Sequence, residues 1–390
     1  RGYWSEEQRW LAASLALAQR TGATSITYAR VLRRAGHLAY RLRDLRAARS
    51  WLEKSAQLSR ELGDNVNLAG ALNNLGRTLY RQKDSAAAER LFRESVEVAR
   101  ASGDGWSLAN ALDGLGQFLY GNGNIEDAQR LLNESVALIR RIEDSESLSR
   151  ILTTLVDIEI ALGYFDDAAA HAAESHVLAK ELGTRPLVAL ALDCLGRVAL
   201  FRSDYDRATR LFHARIQIAR ELGDTPAIAG KQLSLGGIAL AQANYEQARL
   251  LVQDALGFFQ AQDDSPNIAL ALGMLGDIEC SQGKLDEAQL YYHEALLLDN
   301  TVGRKGVAGI HLSGLARVAC NQGAFVVSAQ LLGYTATLMH PRRDMTPLQR
   351  EAYEQTLEIV RQQLESERFE EAWRAGGNMT LEQALTLLRG

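Results

Sequence analysis

Every fortieth residue of this chain repeats itself. Counted from Gly36, one position holds Gly36, Gly76, Gly116, Val156, Gly196, Gly236, Gly276 and Ala316. Six of the eight are glycine, where glycine's share of the chain gives about 0.7. Twelve residues further on stand Ala48, Ala88, Ala128, Ala168, Ala208, Ala248, Ala288 and Ser328. A third column holds Gly63, Gly103, Gly183, Gly223 and Gly303, most of them followed by Asp or Thr. No insertion or deletion disturbs the register from Gly36 to Ala316. A fixed period of this length marks a stacked array in which each unit covers its neighbour's apolar face.

Each unit reads as two helices. Leu68, Leu72, Leu75 and Leu79 form one apolar stripe at helical spacing. A polar break follows at Gln82-Lys83-Asp84-Ser85, and Ala88, Leu91, Phe92, Ser95, Val96 and Ala99 make a second helical face. Gly103 supplies the left-handed residue that ends this helix, and Asp104 caps the next by accepting backbone N–H bonds. The glycine and alanine columns fall where two antiparallel helices cross, and larger side chains there would hold the backbones apart. Composition agrees: the 390 residues include only 5 prolines but 32 glycines, which suits helices joined by glycine-ended turns.

Small residues at the crossing, with a larger one four after the alanine (Phe92, Leu132, Phe212, Tyr292), resemble the tetratricopeptide repeat. The period is longer than that family's usual length of about 34 residues. The resemblance implies an all-α fold: a right-handed superhelical α-solenoid of helical hairpins. The first helix of each hairpin would line the concave side and the second the convex side.

The expected organisation is a repeat array over 1–342 and capping helices over 343–390. The array begins with a half unit at 1–22, in which Trp4, Leu11, Leu15 and Ala18 read as a second helix lacking its first. That half unit points to an array extending upstream. Eight hairpins follow. In the tail, Thr346-Pro347 opens a long helix through about Ser366, a short helix spans Phe369–Ala375, and Thr380 caps a last helix to Leu388.

The tail carries a second resemblance. Ala329-Gln330-Leu331-Leu332-Gly333, then Phe369, Ala372, Trp373, Gly376, Leu381, Glu382 and Ala384, are similar to the carboxyl end of bacterial STAND-type signal-transduction ATPases, including LuxR-type transcriptional regulators. That resemblance implies a non-catalytic sensor domain, with an upstream ATPase domain of the same chain as one partner. No Gly-x-x-x-x-Gly-Lys-Ser/Thr phosphate loop occurs in these residues, so the family's ATP chemistry is not assigned to them.

One stripe beside the apolar face of the first helices is the candidate groove surface. It runs Arg33, His37, Tyr40; Asn73, Arg77, Tyr80; Asp113, Gln117, Tyr120; and, farther along, Asp193 and Arg197. The tyrosines have two possible placements, a ladder along the groove or packing between adjacent repeats. Beyond them the stripe turns small and apolar, through Leu233, Gly237, Leu240, Ala241 and Gly273, then Asp277 and Cys280. This stretch would either hold the apolar part of an amphipathic ligand or close on itself. The expected occupant is a peptide, protein or small-molecule effector.

In the fourth unit Val156 replaces the crossing glycine, Glu143 the capping glycine and Ile160 the tyrosine, which makes either a hinge or a tolerated substitution. Residues 1–50 hold ten arginines against Glu6, Glu7 and Asp44, a basic end that suits either an acidic upstream domain or plain solvation. The net charge of −5 argues against direct nucleic-acid binding. No apolar run reaches the ~18 residues of a membrane span. Cys194, Cys280 and Cys320 form no disulfide framework and fit a reducing, cytoplasmic compartment. His171 and His176 are five apart, unsuited to one metal site, and no cofactor or nucleophile constellation is visible. A free-standing scaffold that joins protein partners is the alternative function, with Asn73-Asn74 resembling the asparagines with which tetratricopeptide arrays grip extended peptides.

Overall fold

The computed structural model describes residues 25–302 and 305–387. The half unit at 1–22, the capping Gly303 and Leu388 lie outside them. The helices are α1 Ile26–Arg41, α2 Leu45–Leu62, α3 Asn65–Arg81, α4 Ser85–Ser102, α5 Gly105–Gly121, α6 Ile125–Ile142, α7 Ser145–Leu162 and α8 Phe165–Glu181. They continue with α9 Arg185–Phe201, α10 Tyr205–Leu222, α11 Thr225–Ala241, α12 Tyr245–Ala261, α13 Ser265–Ser281, α14 Leu285–Val302, α15 Lys305–Asn321 and α16 Phe325–Leu338. The tail adds α17 Pro341–Asp344, α18 Pro347–Gln363, α19 Ser366–Gly377 and α20 Leu381–Leu387. No strand occurs among the described residues. The fold is all-α, and consecutive helices pair as hairpins.

The forty-residue period has a local cause. α3 is 17 residues and α4 is 18. Between them Gln82, Lys83 and Asp84 turn the chain, with Lys83 in the left-handed region at φ 67°. After α4, Gly103 at φ 71° ends the helix and Asp104 starts the next, its Oδ1 accepting from Ser107 N at 2.6 Å. The second helices are capped alike: Asp44, Asp84 and Asp204 accept from the amide three residues on. At Glu143 (φ 59°) and Asp263 (φ 51°) an acidic residue takes the left-handed position that Gly63, Gly103, Gly183 and Gly223 hold in other repeats.

The glycine column is the hairpin crossing. A Cβ on Gly76 would stand 3.1 Å from the Phe92 ring, one on Gly196 2.5 Å from Phe212 and one on Gly236 2.7 Å from Val252. Each partner is the larger residue four after the column alanine. Ala48, Ala88, Ala128, Ala168, Ala208, Ala248 and Ala288 are all fully buried. A buried serine adds a pin inside successive hairpins: Ser55, Ser95 and Ser135 each donate to a carbonyl of the preceding helix, at Ala29, Ala69 and Ala109, across 2.7–2.8 Å.

The described residues pack as two compact units, one of them within 25–158 with 177–182 and the other within 159–176 with 183–387. The boundary falls in the fourth hairpin, α7/α8, where Val156 is buried in place of glycine. Within each unit the first helices of successive hairpins touch: α1 with α3 and α3 with α5, then α11 with α13 and α13 with α15. That close approach makes the first-helix face the inner one. In the second unit the tail shares a core with the last hairpins. Met345, Tyr353, Val360, Phe369, Ala372 and Ala384 are buried with Tyr292, Leu312 and Leu332. α19 crosses α16 at glycine on glycine: a Cβ on Gly333 would run into the Trp373 carbonyl, and one on Gly376 into that of Gln330. Gln330, Gly333, Trp373 and Gly376 are among the residues that carry the tail resemblance, and what these four share is closeness of backbone.

Candidate ligand-recognition surface

On the inner face of the first unit, the stripe residues bind one another across repeats. Asp113 on α5 is fully buried. Its Oδ2 accepts from Arg77 Nη2 on α3 at 3.3 Å and from Arg150 Nη1 on α7 at 2.8 Å, and its Oδ1 accepts from Gln117 at 2.8 Å. Arg77 Nη1 also donates to Gln117 Oε1 at 2.8 Å, and Arg150 Nη2 to Asn110 Oδ1 at 3.0 Å. Asn73 donates its amide to the Asn110 carbonyl at 2.9 Å. Three consecutive hairpins are thus tied through one carboxylate. Arg150 and Asn110 are not among the residues nominated from sequence, although they occupy one register position forty residues apart, three before Asp113 and its equivalent.

Arg33 reaches from α1 to the next repeat, donating from Nε to Asn67 Oδ1 at 2.7 Å and lying over Gly70. Burial, with Arg34 and Arg30 nearby, lowers its pKa against the pull of Asp64. His37 is exposed on the same helix. The tyrosines also lean on the following repeat. The Arg81 guanidinium lies 4.1 Å over the Tyr40 ring, Tyr80 meets Phe118 edge-on at 5.3 Å, and the Tyr120 hydroxyl donates to the Asp157 carbonyl at 3.4 Å. In the second unit Asp193 pairs with Arg197 at 3.3 Å and with Lys231.

In the second unit the first-helix face opens. A cavity of about 360 Å³ lies between α11, α13 and the segment from Asp344 to Gln349, and its wall includes Leu233, Gly237, Leu240, Ala241, Gly273 and Asp277. These are the small and apolar residues of the sequence stripe. Part of the remaining wall comes from the tail, where Thr346 and Gln349 form a reciprocal capping box that fixes the start of α18. Leu348 packs from there on the apolar cluster of α11 and α13. A second space of about 340 Å³ adjoins it, sharing Leu240, Ala241, Asp277, Leu348 and Gln349 and adding Arg317. The sequence showed the apolar stripe; it did not show that the tail returns to roof it.

A triad stands where the two spaces meet, with Asp277 in the wall of both, Tyr292 in that of the first and Arg317 in that of the second. The Tyr292 hydroxyl donates to Asp277 Oδ1 at 2.7 Å, and Arg317 Nη2 donates to both Asp277 Oδ1 and the Tyr292 oxygen at 2.8 Å. Burial first, then the facing Asp277, push Tyr292 well above its usual 10, so it stays a donor. Burial by itself lowers the Arg317 pKa, but Tyr292 and Asp277 outweigh it and the net movement is upward. His311 and Asp299, both buried, stand 2.8 Å apart beside the cavity, at an angle that makes no hydrogen bond. Among the described residues no group of three or more His, Cys, Asp or Glu is placed to hold a metal ion. None of the described helices is long and apolar enough to cross a membrane.

Tetratricopeptide-repeat models match residues 27–101 and 108–149, so the chain carries repeats of that family. Comparison with curated proteins gives no match. A solved Rap protein complexed with competence and sporulation factor is similar over 90% of this chain and 100% of its own, at 12% identity and a TM-score of 0.61. The Rap conjugation gene regulator of plasmid pLS20, in complex with the Phr* peptide, is similar over 69% of this chain and 73% of its own, at 14% identity and a TM-score of 0.55. A Signal Transduction ATPase with Numerous Domains with a tetratricopeptide repeat sensor, from Pyrococcus horikoshii, is 17% identical over 65% of this chain and 41% of its own, with a TM-score of 0.49. At these identities the two Rap structures show a shared fold, a solenoid of tetratricopeptide-type hairpins.

Proposed function

With a stack of tetratricopeptide-type hairpins as the premise, we propose that this chain is a non-catalytic sensor domain that recognises a peptide, protein or small-molecule effector on its inner face and passes that state to a multidomain regulator. The observation that carries the reading is the contrast along one stripe. From Asn73 to Arg150 its polar groups pair with each other, whereas from Leu233 to Asp277 it leaves an apolar cavity of about 360 Å³. That volume and lining fall in the range of ligand sites, roughly 300–1,000 Å³. The Rap proteins of similar fold are complexed with a signalling factor or peptide, which supports recognition of an effector by this architecture.

The regulator is of the signal-transduction ATPase type, on the strength of the tail residues from Ala329 to Ala384. Gene sequence upstream of Arg1 tests this part: a phosphate loop is expected, and a methionine start directly before Arg1 would remove the ATPase host. A free-standing scaffold is the second reading. It needs Asn73 free to grip a peptide, and the use of its amide on the Asn110 carbonyl weighs against it.

Equilibrium dialysis of the purified chain against a cell extract, read by mass spectrometry, tests recognition. Wild type is expected to retain a compound that Gly230→Leu loses, because that side chain would project into the cavity. Equal retention by both proteins would place recognition elsewhere.

A further inference from the structure

The position after each crossing glycine runs His37, Arg77, Gln117, Asp157, Arg197, Gly237, Asp277, Arg317. Every repeat but one sets a polar side chain there. The exception is Gly237, and the cavity lies against it. Two turns earlier on α11, Gly230 also lines the cavity, and a Cβ there would have nothing within 4 Å. The space exists because α11 lacks side chains on the face where its neighbours carry them.

At the polar end, both bonds to Asp277 fall on Oδ1, which leaves Oδ2 as an acceptor. Both bonds from Arg317 leave through Nη2, which leaves Nη1 as a donor. Asp277 and Arg317 cancel in charge, so the pair offers one acceptor and one donor with no net charge. The other carboxylate of the wall, Asp344, is paired too: it accepts from Arg343 Nε at 3.1 Å. A charged ligand would lose its hydration here without gaining a counter-ion, which is costly in an apolar surround.

We infer that the cavity binds a neutral amphipathic small molecule, its apolar body against Leu233, Leu240, Leu270, Met274 and Leu348 and a hydroxyl or amide end toward Asp277 and Arg317. The assignment rests on the reading of this cavity as the recognition site. A hydroxyl or primary amide both donates and accepts, and so matches Asp277 Oδ2 and the free edge of Arg317 together.

The test uses the full chain and the neutral fluorophore prodan, displaced in turn by decanamide, decanoate and decylammonium. Decanamide is expected to displace prodan at concentrations about tenfold below either ion, the penalty for a desolvated charge without a partner. Asp277→Asn exposes the Arg317 charge and should move the preference to decanoate. Arg317→Gln exposes Asp277 and should move it to decylammonium. Gly230→Leu should abolish prodan binding while the thermal melt holds. Equal displacement by the three compounds in wild type, or an unchanged ranking in both charge variants, would overturn the neutral-ligand assignment and leave the cavity as a binding site. Absent prodan binding, or equal binding by wild type and Gly230→Leu, would overturn the cavity reading as well.

Discussion

Arg317 donates to Asp277 across 2.8 Å, and the two side chains hold the same register in successive hairpins, forty residues apart. The same step joins Arg77 to Gln117 and Arg150 to Asn110, at 2.8 and 3.0 Å. A one-repeat offset therefore recurs as a physical contact between neighbouring first helices, because those helices lie close enough for long polar side chains to bridge them.

Removing one member of the second unit's triad should be costly. Arg317→Met leaves Asp277 and the Tyr292 hydroxyl without their shared donor, a loss of roughly 3 kcal/mol. Arg317→Met with Asp277→Leu should recover much of it. Chemical denaturation followed through the second unit measures both, and additive losses would show that the pair is not coupled.

The triad also predicts alkaline sensitivity. Tyr292 has a pKa raised well above 10 in the folded chain, so its contribution is complete below that value and is lost as pH rises toward the folded pKa. The melting temperature should fall between about pH 9 and pH 11, and Tyr292→Phe should flatten that slope. A slope identical in the two proteins would mean that Tyr292 ionises freely.

Glycines of one helix type should respond oppositely to alanine. At Gly196 a Cβ would stand 2.5 Å from the Phe212 ring, so Gly196→Ala should cost roughly 1–3 kcal/mol. At Gly230 a Cβ meets nothing, and Gly230→Ala should gain up to about 1 kcal/mol through helix propensity. Thermal melts of the two variants decide the matter, and shifts of the same sign would contradict the crossing geometry.

Asp113 should behave as a structural clamp. Its replacement by alanine leaves Arg77 and Arg150 without their common acceptor and should destabilise the first unit by about 3 kcal/mol. Glu134→Ala breaks only the exposed pair with Arg100 and should cost under about 1 kcal/mol. Equal melts for the two would place Asp113 among the ordinary surface carboxylates.

The tail depends on Gly376. An alanine there would force α19 away from the Gln330 carbonyl of α16. Hydrogen exchange is expected to rise across 341–387 with the first unit unaffected. Protection that matches wild type would show that the crossing has room.

The local rules of the fold were legible because they repeat. A crossing glycine, an alanine twelve residues later, a left-handed glycine and a capping aspartate each act within one hairpin, so forty residues contain the whole instruction. Two tail helix starts, Thr346-Pro347 and Thr380, were legible from a few neighbours, whereas α17 was not, and α18 ends at Gln363, short of Ser366, where α19 already begins. Which inner-face groups would pair was not legible either. Asp113 was visible as a candidate for the groove, but its engagement by Arg150 depends on the separation of α5 and α7, which packing sets.

The sequence alone determined a periodic array of antiparallel helical hairpins and the small-residue stripe of Gly237 and Gly273. Tertiary structure alone decided that this stripe is a cavity. The return of Leu348 over α11 and α13 closes it, and the pairing of Asp277, Tyr292 and Arg317 gives it a neutral polar end. Periodicity fixes which face a residue occupies; only the packing of three separate segments fixes how much space is left between them.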